Sequence, residues 1–268
     1  MRTRLIGALV ALLALSATAC SYTTRVELPT TQPETSRILW DDGTTLASLH
    51  AEQNRDDIPF RSMGEYLPTA VVAIEDARYF EHRGVDPRGI LRALTRDVRA
   101  GRAAEGGSTI TQQYVRAVLL SPERDLRRKV KEAVLAVQLE RQYSKRTILE
   151  RYLNLVYFGN GAYGVQAAAQ TYWQKDASKL TVLQAATLAA AIQSPSRFDP
   201  VDNPADAQVR RNWVLDRMVA TDALDAAEAE DLKARRVKTD PIPDGELYPP
   251  TLGYFLDYTR RGLMDEYG

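Results

Sequence analysis

The stretch AVVAIEDARYFEHRG, residues 70–84, runs from an apolar face straight into two adjacent acids, two rings and one of only two histidines in the chain. On a helix, Val71 and Val72 precede Glu75 by four and three positions, so Glu75 shares their apolar face. Partial burial raises a carboxylate pKa, which makes it a better base near neutral pH. Asp76 points about 100° away around the helix and need not share that role. Read alone, the stretch favours a structural carboxylate salt-bridged to Arg78 or Arg83.

Helices dominate from Met63 onward. Asp86-Pro87 opens one, with a cap and a proline in its first turn, an apolar stripe of Ile90, Leu91, Leu94 and Val98, and Gly101 as its stop. Others are expected at about 124–143, 144–158, 164–173, 181–193, 204–220 and 225–236. Upstream, RILWDDGTTLASLH (37–50) holds two β-type runs around Asp42-Gly43, the signature of a hairpin. The predicted organisation is a leader or anchor over 1–24, a tether and small β segment over 25–62 and a helical domain over 63–240. Residues 241–268 read as a proline-rich linker and the start of a further region. The fold class is mainly α with a small N-terminal β hairpin.

Hydrophobic residues make up 44% of the 268 and charged residues 26%, which argues against wholesale disorder. Lys plus Arg (35) equals Asp plus Glu (35), so no global field recruits nucleic acid, and any charge argument is local. Cys20 is the only cysteine, which excludes an intrachain disulfide and a cysteine-rich zinc site. The opening MRTRLIGALVALLALSATACSYTT has Arg2 and Arg4, an apolar run from Leu5, and small residues up to Ala19-Cys20. A cleaved secretory leader, an uncleaved span of about 20 residues and a lipid-acceptor Cys20 all fit that layout. Each places the rest of the chain outside the cytoplasmic membrane and close to it.

Two further stretches hold candidate chemistry. In EGGSTITQQYVR (105–116), Gly106 and Gly107 give backbone freedom and Ser108 is placed to cap a helix. The following hydroxyls and amides make a surface of neutral hydrogen-bond partners suited to sugars or phosphates. In ERDLRRKVKEAVLAVQLERQY (123–143), Val130, Val134 and Val137 mark a buried stripe. Arg124, Arg127, Arg128 and Lys131 form a basic row, with Glu132 within reach of Arg128. Fixed cations are what a departing pyrophosphate needs as charge develops on it. Two separated carboxylates, a polar Gly/Thr/Gln segment and a basic helix suit glycosyl transfer from a phosphorylated donor at a membrane surface.

These residues resemble the peptidoglycan glycosyltransferase domain of class A penicillin-binding proteins and monofunctional transglycosylases, glycosyltransferase family 51. EDARYFEHRG looks like the family's first motif, and GGSTITQQ (106–113) and RKVKE (128–132) match the second and third. ILERYLNLVYFGNGAYG (148–164) matches the fourth, and LTVLQAATLAAAIQSPSRFDP (180–200) resembles the helix and turn that follow. The resemblance implies a lysozyme-like helical fold that polymerises lipid II with inversion at the anomeric carbon. Glu75 would be the general base and Glu132 the second catalytic carboxylate, orienting cations or a divalent metal. Asp76, Tyr79, His82, Ser108, Thr109, Gln112, Gln113, Arg116, Arg124, Arg128, Lys129 and Lys131 would bind substrate. It further implies a divalent cation (Mg2+ or Mn2+) and no organic cofactor. The implied partners are lipid II, the growing glycan strand, the cytoplasmic membrane and cell-wall synthesis proteins, with no nucleic acid. An idle lipid II-binding protein and a lysozyme-like hydrolase are the rival readings.

Three positions depart from the family pattern. Tyr79 stands where Phe is usual, Arg116 where Lys is usual, and Gln184 where an acid is usual. None removes a catalytic group. No Ser-x-x-Lys or Lys-Thr-Gly of a transpeptidase occurs in the chain. The segment at 103–124, with its glycines and Leu119-Leu120, is the expected place for a membrane-facing flap.

Overall fold

The computed structural model describes residues 26, 28, 36–39, 41–43, 45–49, 54–91, 107–120, 126–241, 258–259 and 261–262. Outside them lie Cys20, expected to accept a lipid, most of the expected tether, Arg124, the expected helix stop Gly101 and most of the expected C-terminal linker.

VLQAATLAAA is apolar on nearly every side, so it is stable only when enclosed by other elements. It forms a helix, Val182–Ala191, with eight of its ten residues buried. Thr181 and Gln184 close a capping box at its start, so Gln serves as well as the acid usual there. Helices Tyr66–Glu75 and Pro204–Ala220 pack on it and on each other, and its alanines let them approach closely.

In chain order the helices are α1 (Tyr66–Glu75), α2 (Ile110–Leu119), α3 (Leu126–Gln142), α4 (Lys145–Leu155), α5 (Val165–Trp173), α6 (Val182–Ala191), α7 (Pro204–Ala220) and α8 (Ala226–Ala234). Residues 87–91 are also helical. One packed group is α1, α6 and α7; a second has α2 against α3 and α4. Strands β1 (Ser36–Leu39) and β2 (Thr45–Leu49) form the expected antiparallel hairpin. Strands β3 (Asn54–Arg55), β4 (Tyr157–Gly159) and β5 (Ala162–Tyr163) make a small sheet in the order β3–β5–β4, with β3 parallel and β4 antiparallel to β5. The Asn154 amide bonds both backbone groups of Ile58, at 3.2 and 2.9 Å, and pins the entering chain to α4.

Four local expectations are corrected. The helix drawn to residue 158 ends at Leu155, where Val156 is extended and leads into β4; the positive φ of Gly159, Asn160 and Gly161 then turns β4 back into β5. Thr109, not Ser108, caps α2: its hydroxyl accepts the Gln112 N–H while Gln112 Oε1 accepts the Thr109 N–H at 3.0 Å. On α3 the buried residues include Glu132, Ala136 and Leu139, whereas Val130 is 52% exposed. Ile90 and Leu91 are exposed rather than part of the core. The described part of the expected flap contains α2, and Leu119 and Leu120 are packed, half-buried, against the core.

Candidate active site

Glu75 is the last residue of α1 and lies where the two helix groups meet. Gln113 of α2 donates from Nε2 to Glu75 Oε2 at 2.8 Å, and the Tyr152 hydroxyl of α4 donates to Gln113 Oε1 at 3.0 Å. Tyr152 thereby dictates which end of the amide faces the carboxylate. Burial pushes the Glu75 pKa up. The Gln113 hydrogen bond and the charges of Arg210 and Arg116 pull against that rise, and Asp76 adds to it. The net shift is upward, so the ionised form is disfavoured even beside two arginines. Arg78, one of the expected salt-bridge partners, is engaged elsewhere, with Glu81 at 2.8 Å and Asp86 at 3.0 Å.

Glu132 is 1% exposed, on the buried side of α3. Its cation is Lys129, one turn earlier, rather than the expected Arg128. Lys129 also donates to Ser108 Oγ at 2.8 Å, just before the cap of α2. The two carboxylates are therefore tied to one short segment, Glu132 through Lys129 to Ser108 just before α2 and Glu75 to Gln113 within it. Arg116, Arg127 and Lys131 are exposed, while Arg128 is half-buried.

Five of the side chains expected to touch substrate turn into the protein instead. Asp76 and His82 are buried against each other, with His82 Nε2 at 2.9 Å from the carboxylate, which also accepts the Ile110 N–H at 3.1 Å. Thr109 donates to the Gly84 carbonyl at 2.6 Å, and Gln112 closes the capping box. Gly84 has φ +84 and lies so close to α3 that a Cβ there would fall 2.6 Å from Val137 N. Tyr79 is fully buried, and its hydroxyl donates to the Lys145 carbonyl at 2.8 Å, a bond that the usual Phe could not make.

Two participants escaped the sequence reading. Arg210 is buried on α7, its guanidinium carbon 4.2 Å from the Trp213 ring centre, near enough to Glu75 to lower its pKa. It falls within the buried stripe of Ala207, Val214 and Met218, and a cation in such a stripe is the signal that could have found it. Its neighbour Arg211, also buried, instead donates to the Arg235 carbonyl at 2.7 Å and holds the end of α8. Tyr152 is the second, recognisable only by its polar tip on an apolar face of α4. Among the described residues, no three His, Cys, Asp or Glu side chains are grouped to hold a metal ion.

The site thus holds two differently treated carboxylates, Glu75 with a raised pKa and a neutral amide donor, and Glu132 paired with Lys129, in a mainly helical fold. Residues 42–219 match the family model Transglycosylase, and the chain belongs to that family, as its ordered motifs indicated. It is 43% identical over 217 residues to penicillin-binding protein 1A/1B of Bacillus subtilis (strain 168), covering 81% of this chain and 24% of that protein. Penicillin-binding protein 1F of the same organism is 37% identical over 232 residues, with 87% and 32% covered. Penicillin-binding protein 1A of Mycolicibacterium smegmatis is 39% identical over 225 residues, with 82% and 27% covered. The chain thus spans 24–32% of the length of these relatives. The crystal structure of penicillin-binding protein 1A from Haemophilus influenzae is similar with a TM-score of 0.48 and 20% identity, covering 91% of this chain and 26% of that one.

Proposed function

We propose that this chain is a peptidoglycan glycosyltransferase that polymerises lipid II into glycan strands at the outer face of the cytoplasmic membrane. The observation that carries the reading is Glu75, a carboxylate whose pKa burial raises and whose hydrogen-bond partner is a neutral amide. Such a group is suited to take a proton near neutral pH. In the reaction, Glu75 removes the proton from the acceptor's 4-hydroxyl, and that oxygen attacks C1 of the donor from the face opposite the pyrophosphate. The C1–oxygen bond to the pyrophosphate breaks, its electron pair leaves with undecaprenyl pyrophosphate, and the anomeric configuration inverts.

Arg116, Arg127 and Lys131 are exposed cations on α2 and α3, available to the charge that develops on the leaving group. Glu132 holds Lys129 against Ser108 at the rim of the same site. Asp76, Tyr79, His82, Thr109 and Gln112 position α1 and α2 from beneath. Glu132 already has Lys129 as its cation, so a divalent ion, when bound, would be held chiefly by the donor's pyrophosphate, where it would supply charge neutralisation. The basic row favours a transferase over a glycan hydrolase, which has no phosphate to bind.

The test is polymerisation of labelled lipid II by the full chain in detergent with Mg2+, beside Glu75→Gln. Long glycan from the wild type and none from the variant is the expected result. A wild type that binds a moenomycin-type ligand and makes no glycan would replace this reading with that of a binding protein.

A further inference from the structure

We infer that Lys145 is a positioning residue for Glu75, acting through a ring of hydrogen bonds beneath the site that the Ile110–Thr111 backbone closes. The inference rests on the glycosyltransferase reading for its kinetic consequence, but not for its geometry.

The ring can be followed link by link. Lys145 Nζ lies 2.8 Å from the Glu140 carboxylate, and Glu140 Oε1 accepts the Thr111 hydroxyl at 2.5 Å. Thr111 follows Ile110, whose N–H donates to Asp76 Oδ2 at 3.1 Å. Asp76 meets His82 Nε2 at 3.0 and 2.9 Å, and His82 Nδ1 returns to Lys145 Nζ at 3.3 Å. Four elements are joined this way: the end of α1 with its following loop, the first turn of α2, the last turns of α3 and the first residue of α4.

The chemistry of each link fixes the next. An ammonium group has only donors, so the imidazole nitrogen facing it carries the lone pair. The other nitrogen faces a carboxylate and carries the proton. Lys145 and Asp76 together specify one tautomer of His82, protonated on Nε2 and bare on Nδ1. The opposite tautomer would turn a lone pair on Asp76 and loosen its hold on the Ile110 N–H.

Nothing in α4 itself calls for lysine here. Lys145 is the first residue of that helix, where the macrodipole disfavours a cation. Burial also works against its charge, pulling its pKa down against the opposing pull of Glu140. Its ammonium lies over the Tyr79 ring, with Nζ 4.3 Å from the ring centre, a cation–π contact. That contact and the links to Glu140 and His82 offset the penalties, and the links fix the register of α2. Ile110 and Thr111 are the residues it holds, and Gln113, two positions on, is the one that touches Glu75. A displacement of α2 by about 1 Å would break that 2.8 Å contact, and such shifts are worth up to about 100-fold in rate.

The test combines turnover with a readout that needs no activity. Besides His82 the chain has one histidine, His50, so in the full-length His50→Gln protein an isotope-labelled histidine NMR spectrum reports on His82 alone. A single tautomer protonated on Nε2 is expected, and Lys145→Met is expected to lose it. With lipid II as substrate, Lys145→Met should lower kcat about tenfold and leave KM within about twofold, the pattern of lost positioning rather than lost binding. Thr111→Val keeps the volume of the buried side chain and removes only its link. It should lower kcat about threefold with the tautomer intact, and it decides the matter where Lys145→Met does not fold. Wild-type turnover in Lys145→Met, or in Thr111→Val where only that variant folds, overturns the inference, as does a His82 protonated on Nδ1. A wild type that polymerises nothing overturns the function reading instead, and the histidine spectrum still judges the ring.

Discussion

Two carboxylates, the half-buried Glu75 and the fully buried Glu132, are linked to residues 108–113 and are treated in opposite ways. Glu132 sits on the buried side of α3 with the Lys129 ammonium paired to it. Glu75 closes α1 with a neutral amide as its hydrogen-bond donor, and its two arginines act without ion-pairing closely enough to undo the effect of burial. A carboxylate given a cation becomes an anchor for that cation; one given an amide keeps its basicity. Under the proposed glycosyltransferase reading, the fold separates holding charge from moving a proton, using one residue type for both.

The largest effect that probes this contrast is Glu75→Gln. Loss of the base should reduce lipid II polymerisation by about 10²–10⁴-fold, and glycan made at the wild-type rate would end the contrast. The same variant should be more stable. Because the folded-state pKa of Glu75 lies above its unfolded value, the stability linked to it is full below the unfolded pKa. That stability is lost as pH rises through the folded pKa. At neutral pH, Gln removes the burdened charge, and the midpoint of thermal unfolding should rise by about 2–4 °C for a gain of about 1 kcal/mol. A lower midpoint would show that Arg116 and Arg210 outweigh burial.

Glu132→Gln comes next. It leaves Lys129 without its anion, and the expected loss is about 10²-fold in turnover, within the range seen for one electrostatic contact in a site. Unlike Glu75→Gln, it should destabilise the fold by about 3 kcal/mol or less, since the ammonium left behind is about half-exposed. Thermal melts of the two variants side by side read the contrast directly, as shifts of opposite sign.

Much of this arrangement is legible in the chain, and the illegible part has physical causes. The position of Glu75 on an apolar face, the hairpin at Asp42-Gly43 and the helix over 204–220 follow from spacing and caps. The buried side of α3 does not. Val130, Val134 and Val137 compete with Glu132, Ala136 and Leu139 at the same period, and periodicity alone prefers the valines. Only the tertiary partner, Lys129 bonded to Ser108, explains why a glutamate goes inside. The Asn160-Gly161 turn was readable, but the helical pattern before it obscured the signal. Side chains such as Asp76 and His82 belong to a recognisable motif, yet a motif does not reveal whether a residue faces the substrate or the core.

Gln113→Leu tests how far the Glu75 basicity is set by its amide. The hydrogen bond from Gln113 lowers the carboxylate pKa, so its removal leaves burial less opposed. The acid limb of the pH–rate profile, where protonation of the base stops the reaction, should move to higher pH. Turnover on the plateau should fall about tenfold because the base is no longer held. An acid limb that moves to lower pH would contradict the causes assigned to the shift. Arg210→Met should move the limb in the same direction with less effect on the plateau, since the arginine acts by charge rather than contact.

The smallest expected effect belongs to Tyr152→Phe. Tyr152 is 3% exposed, and burial pushes its pKa well above the usual phenol value, so the hydroxyl remains a donor throughout the working pH range. Its proton goes to Gln113 Oε1, and without it the amide is free to flip and present oxygen to Glu75. Each flipped molecule has a lone pair facing a carboxylate and an unrestrained base, so kcat should fall about threefold with KM unchanged, equivalent to one neutral hydrogen bond. Because the hydroxyl acts only through the amide, Tyr152→Phe should have no further effect in the Gln113→Leu background. Additive losses in that double-mutant cycle would mean that Tyr152 reaches the reaction by another route, and the chain Tyr152–Gln113–Glu75 would then be packing rather than control of the base.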